Sequence, residues 1–285
     1  MALFSLCLCL SGNSWQINWA SDRCLICDYN IGVPNQRELQ ATEEIAALQQ
    51  RYQQALQQTP KNLSQLTELE QLIQKNSKAV INTAAEFLDD FLSSKTMLMS
   101  NYNLQTASET RSVADMKNDK QRRATEALLF GEYTPKIRYA ALSLDHKGLV
   151  SYGSCSMTVS EVTARYKATV LEENSFDFVR QHRILPGDEL PKGYRATWEN
   201  RHLLAVAKLA PKLTEKVKNW AELLLKSNGN RHQDEFMEVH IYGAFDKQAV
   251  TEIAVPKQPK TENERVAVEA ICAYAAKLKI PCGEI

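Results

Sequence analysis

Two short runs of alternating residues hold the side chains best suited to chemistry. In Tyr152-Gly153-Ser154-Cys155-Ser156-Met157 a strand would turn Tyr152, Ser154 and Ser156 to one side and Cys155 and Met157 to the other. In Met237-Glu238-Val239-His240-Ile241-Tyr242 the same alternation sets Glu238, His240 and Tyr242 against an apolar Met237, Val239 and Ile241. A carboxylate, an imidazole, phenols and hydroxyls thus leave the core together, either facing water as half-exposed strands do or lining a cleft that holds a ligand. Cys155 with His240 or His182 would supply a thiol nucleophile and its base, although alternation aims Cys155 into the core.

Other signatures are missing from the sequence. It has no glycine loop that cradles phosphates, no paired histidines at helical spacing and no glycine-flanked serine nucleophile. Cys24 and Cys27 have the spacing of half a zinc ribbon, with Cys7 and Cys9 an irregular other half, so thiols rather than a metal are expected there. Seven cysteines, an odd number in a chain of 285 residues, also speak for reduced thiols and a cytosolic working compartment. The 34 basic and 34 acidic residues balance and alternate along the chain, which argues against nucleic acid and membrane surfaces as partners. The apolar run from Met1 to Leu10 is about half of what a bilayer crossing needs and lacks a basic start.

These residues need elements to position them. Residues 1–34 read as an irregular segment. Over 35–95, Asn35 with Glu38 suggests a capping box, and Ile45, Leu48, Tyr52 and Leu56 recur at helical spacing. Thr59-Pro60 then opens a second stripe from Leu63 through Val80, Ala84 and Phe91, so the region reads as a helical hairpin. Its eleven glutamines between Gln36 and Gln74 keep the outer faces polar, and a non-enzymatic interaction module acting through this hairpin is one functional reading. Residues 96–285 read as one α+β domain: a polar loop over 97–116, a helix near 121–130, and a strand from Lys136 paired as a hairpin with 149–159 through the turn at 145–148. A strand at 164–171, helices at 197–209 and 212–226, and strands at 236–244 and 249–255 follow. Thr261-Glu262-Asn263-Glu264 caps a last helix that Pro281 stops. Helices first, then mainly antiparallel strands with helices between them, is the α+β pattern.

An ordered set of motifs extends the reading. Tyr102-Asn103-Leu104-Gln105, Arg123-Ala124-Thr125-Glu126, Arg138-Tyr139-Ala140-Ala141-Leu142, Tyr152-Gly153-Ser154-Cys155 and Glu238-Val239-His240-Ile241-Tyr242-Gly243 resemble those of an uncharacterised bacterial domain family that is itself similar to mono-ADP-ribosyltransferases. The resemblance spans roughly residues 90–260. It implies a mixed, mainly antiparallel sheet with flanking helices, NAD as substrate, and a secreted bacterial effector. Such an effector would modify a host protein side chain in the host cytosol or an organelle, arginine first, with glutamate dehydrogenase as one such target. In the Arg–Ser–Glu class of that family the order of strands matches Arg138, Ser154 and Glu238. The resemblance implies that Glu238 is the catalytic acid and that Arg138, Ser154, Ser156, Gln105 and Thr106 bind NAD, with Tyr152 or Tyr242 stacked on nicotinamide. Chemically, a carboxylate facing the ribosyl cation stabilises the transition state, and an arginine fork fits a pyrophosphate. Only about 16 residues separate Arg138 from Ser154, which leaves Arg111 and Arg165 as alternatives. Phe236 stands two positions before Glu238, where many relatives carry a second acid, so Gln105, Glu109 or the target itself would fill that role.

Overall fold

The computed structural model describes residues 20–24, 27–99, 116–213, 216–231 and 233–285. The predicted loop at 97–116 therefore lies almost wholly outside the described residues, with Gln105, Thr106, Glu109 and Arg111, and so do the apolar run 1–10, Cys7 and Cys9. Strands β1 (Lys78–Thr83), β2 (Ile137–Ser143), β3 (Cys155–Val159), β4 (Ala168–Leu171), β5 (Arg195–Thr197), β6 (Glu238–Tyr242), β7 (Val250–Val255) and β8 (Cys282–Glu284) form one sheet in the order β5-β4-β6-β2-β1-β3-β7-β8. Every neighbouring pair is antiparallel except β7 with β8. The helices are α1 (Pro34–Leu39), α2 (Thr42–Gln58), α3 (Leu63–Asn76), α4 (Ala85–Ser93), α5 (Met116–Phe130), α6 (Glu161–Lys167), α7 (Ser175–His182), α8 (Arg201–Leu209), α9 (Trp220–Leu224) and α10 (Glu262–Leu278). This is an α+β architecture with a mixed, mainly antiparallel sheet.

Register decides which side chains share a face. Tyr139 pairs with His240 and Ala141 with Glu238, so these four lie together, whereas Arg138, Ala140, Val239 and Ile241 lie on the other side. The second face is the main core: Met157, Val239, Ile241 and Val170 pack with Leu66, Ile73, Leu88, Phe91 and Leu204 from the helices. The first face is covered as well. Leu129 and Phe130 of α5 and Phe178 of α7 close a smaller cluster over Ile137, Leu171 and Tyr242. Strand β6 is therefore buried along its whole length, and the expectation that Glu238, His240 and Tyr242 face water fails because helices cap both sides of the sheet.

Three local expectations change for the same reason. Residues 78–83, read as helix, form a central strand between β2 and β3, so those two strands are not a hairpin; the β-branched Val80, Ile81 and Thr83 fit a pleated position. The stripes of α2 and α3 pack against α8, with Leu48, Leu66, Leu69 and Ile73 buried. Asn35 caps nothing: its amide lies inside α1 and donates to the carbonyls of His240 and Lys167, pinning α1 to the sheet. Helix also replaces strand at 161–167, and among the described residues of 212–226 the one α-helix is α9. The last helix starts as its sequence suggests, with the Thr261 hydroxyl accepting from the Glu264 amide. Among the described residues no helix is long and apolar enough to cross a membrane.

One half-buried cation steadies the strand that matters most. Lys208 of α8 donates to the carbonyls of Glu172 and Phe236, joining the end of β4 to the approach to β6, and burial pulls its ammonium down to about 8. Below that pH both folded and unfolded chains carry the proton and the burial penalty is felt in full. Between about 8 and the ordinary lysine value of about 10.4 only the unfolded chain binds it, so stability rises with pH in that window. Relative to Lys208→Met, the native chain should gain about 2 kcal/mol between pH 7.5 and pH 10 in urea unfolding. Parallel curves for the two proteins would refute the assignment.

Candidate active site

Glu238 opens β6 at the middle of the sheet, where it pairs with Ala141 on β2 and Leu171 on β4. The residue is only 8% exposed, and its carboxylate accepts a hydrogen bond from the backbone N–H of Ser175, the first residue of α7. That helix starts correctly because the Asn174 side chain accepts from the Asp177 amide. Unsatisfied amides and the helix dipole at such an end favour a negative charge. His240, two residues along the same face, places Nε2 3.7 Å from Glu238 Oε1 and 3.3 Å from the Ser175 hydroxyl. The imidazole is fixed by edge contacts with Phe130 and Tyr139, at centroid distances of 4.7 and 5.5 Å.

Phenols and guanidinium groups surround the acid. Tyr139 is half-buried; burial first, then Glu126 and Glu238, push its ionisation well above the ordinary range. Arg122 of α5 lies over the Tyr139 ring at 5.4 Å and is paired with Glu126 through Nε at 2.8 Å. On the other rim Tyr152, 39% exposed, ends the 3-10 turn Val150–Tyr152; its phenol is raised by burial and then by the charge of Glu238. Arg231 stacks on the Tyr152 ring at 4.6 Å and donates to the Ser151 carbonyl. Beneath it the Ser151 hydroxyl bonds Asp234 Oδ2, while Asp234 Oδ1 is buried without a hydrogen-bond partner. The charge of Glu238 thus reaches both phenols, and a guanidinium lies over each ring. Such a set can steady a cation that develops over the sheet and hold an anionic ligand at the rim.

Not every residue singled out in the sequence comes to this place. Arg138 is on the main-core face, opposite Glu238, where its guanidinium donates to the Met99 and Pro135 carbonyls and burial lowers its pKa. Ser154 sits just before β3, three strands from β6, which is about 14 Å across the sheet alone. Its hydroxyl hydrogen-bonds Glu264 at the start of α10. Ser154 therefore does not come beside Glu238, because β1 and β2 are inserted between the two strands. Ser156 shares the face of Glu238 but gives its proton to the His146 carbonyl. Tyr242 shares it too, four residues further along β6, where it donates to the Ala20 carbonyl. Of the residues the resemblance assigns to NAD within the described chain, Tyr152 is the one whose phenol is raised by the charge of Glu238.

The thiol alternative has no geometry. Cys155 is fully buried on the core face, opposite His240, with its thiol pushed up to about 12 by burial, and His182 packs on Phe178 and Tyr194. Arg165, the other arginine considered, pairs with Glu199 outside the cleft. Among the described residues no cluster of His, Cys, Asp and Glu could hold a metal. Arg122, Tyr139, Ser175, Arg231 and Asp234 were not singled out as site residues. The signal for Tyr139 was present, since Ile137, Tyr139 and Ala141 alternate against Arg138, Ala140 and Leu142.

Comparison with known proteins adds little. No protein family matches the chain, and no curated protein does. Among solved structures it is similar to Thermus sp. 2.9 DarT in complex with carba-NAD+, at 12% sequence identity and a TM-score of 0.38, over 74% of this chain and 96% of that one.

Proposed function

We propose that this chain cleaves NAD at the nicotinamide–ribose bond and transfers the ADP-ribosyl group, with Glu238 as the acid that stabilises the transition state. The observation that supports this best is the buried carboxylate of Glu238, held by the Ser175 amide at the start of α7 with His240 3.7 Å away and with its charge raising the Tyr139 and Tyr152 phenols. As the bond breaks, its electron pair leaves with nicotinamide, which becomes neutral, and positive charge gathers on the ribose. A carboxylate that cannot turn away lowers the energy of that state at no further ordering cost. Tyr152 offers a ring for the nicotinamide. Arg231 and Arg122, in place of Arg138, offer forks for the pyrophosphate. On the resemblance set out above, the acceptor is a side chain of a host protein, which attacks the ribosyl carbon and gives up a proton.

Nicotinamide release from NAD tests the reading directly. The native chain, with a host-cell lysate as acceptor source, should release nicotinamide and label protein when the adenylate moiety carries the label. Tyr152→Ala should raise the KM for NAD about tenfold, corresponding to roughly 1–1.5 kcal/mol of ring contact, with kcat within a few-fold of native. Absence of nicotinamide release with and without lysate would end the proposal.

A further inference from the structure

We propose that Cys272 and Cys282 are a thiol pair that disulfide-class oxidants close into an intramolecular bond, fastening the edge strand β8 to α10. The two sulfurs are 3.6 Å apart, and both residues are exposed. Cys272 lies on α10 and Cys282 is the first residue of β8, so the bond would bridge a helix and a strand that the chain already brings side by side. Closing to a disulfide length of about 2.05 Å asks for an approach of about 1.6 Å, which side-chain rotation at an exposed strand end can supply. Cys155 is excluded as a partner because it is fully buried.

The chemistry balances with one equivalent of an oxidised disulfide such as glutathione disulfide. One thiolate attacks a glutathione sulfur, a mixed disulfide forms and the first glutathione thiolate leaves. The neighbouring sulfur then attacks the protein sulfur of the mixed disulfide, and the second glutathione leaves. Two protein thiols are oxidised, one glutathione disulfide is reduced, and two protons pass to the departing thiolates. Burial and the neighbouring Cys272 push the Cys282 thiol up to about 12, and either sulfur can make the first attack.

The strand to be fastened is the least secured of the sheet. All three residues of β8 are exposed, and it has one neighbour, β7, in the sheet's parallel pairing. Its end is tied by the Ile285 amide to the Val255 carbonyl and by the Ile285 carbonyl to the Lys257 amide. A covalent bond at Cys282 would suppress the opening of this end without touching the cleft around Glu238, so it stands apart from the proposed activity.

The test treats the purified full chain with glutathione disulfide, blocks remaining thiols with iodoacetamide under denaturing conditions, and digests with trypsin. Cleavage after Lys277 and Lys279 separates the two cysteines, so a bond joins the peptide ending at Lys277 to the one beginning at Ile280. The expected product is that joined pair, two hydrogens lighter than the separate peptides and split by dithiothreitol. The Ile285 amide should exchange about tenfold more slowly in the oxidised chain. In Cys272→Ser, Cys282 should carry glutathione or the alkyl group instead. Separate peptides in the native chain, each glutathionylated or alkylated, would overturn the proposal, and so would equal Ile285 exchange in the two redox forms.

Discussion

Glu238→Gln should lower the rate of nicotinamide release by a factor of about 10² to 10³ while leaving the fold intact. Glutamine keeps the length of the side chain, and its amide oxygen can still accept from the Ser175 amide, so α7 and β6 stay joined. What disappears is the negative charge. That charge matters most where water is scarce, and Glu238 has few exposed atoms between the covering helix and the sheet. A loss in kcat with little change in KM would place the effect in the transition state rather than in NAD binding. Urea unfolding of the variant within about 1 kcal/mol of native would separate this from a structural collapse. Activity within threefold of native in a well-folded variant would remove Glu238 from the chemistry.

Gly153→Ala should cost about 3 kcal/mol or more, a large share of what a domain of this kind has to lose. A Cβ at that position would stand 2.2 Å from the carbonyl carbon of Thr83 and 2.3 Å from its oxygen. Both belong to the backbone of β1, so no side chain can swing aside. Thr83 pairs with Cys155, and parting the strands there breaks the ladder where β3 begins. The same glycine follows Tyr152, whose ring with Arg231 makes one rim of the cleft, so the KM for NAD should rise along with the fall in the urea midpoint. Stability unchanged within about 0.5 kcal/mol would mean the two strands approach less closely than this structure has them.

The two variants bear on different links of one chain of cause. Glycine lets β1 and β3 approach, their approach sets the turn that carries Tyr152, and Tyr152 completes a cleft whose floor is Glu238. The sulfur pair at α10 and β8 lies at the β8 edge of the sheet, five strands from β6, and is expected to respond to oxidant whether or not NAD is cleaved.

Much of this was legible along the chain, and the parts that were share a property. Alternation in Met237–Tyr242 separated Glu238 and His240 from Val239 and Ile241, and the structure keeps that separation. Thr261 and Glu264 marked the start of α10 from four consecutive residues. In both cases the signal and the interaction lie within one or two turns of backbone. Residues 78–83 misled because Val80, Ala84 and Phe91 also fit a helical stripe; the β-branched Val80, Ile81 and Thr83 were the contrary sign. Asn35 misled because an amide at a helix start can cap it or reach across to a strand, and only a neighbouring sheet makes the second choice available.

The chain's own sequence determined that Arg138 would side with Ala140 and Leu142, and that Glu238 would side with His240, since a strand's period of two is a matter of covalent geometry. It could not determine whether those two sets would share a face. That was decided by register, which matches Tyr139 to His240 and Ala141 to Glu238 across a separation of about 100 residues, and so sends Arg138 to the core. The insertion of β1 and β2 between β6 and β3, and the helices laid over the polar face, were decided in the same way. Pairing partners and coverage depend on which distant surfaces bury the most apolar area together, and no local pattern encodes that sum.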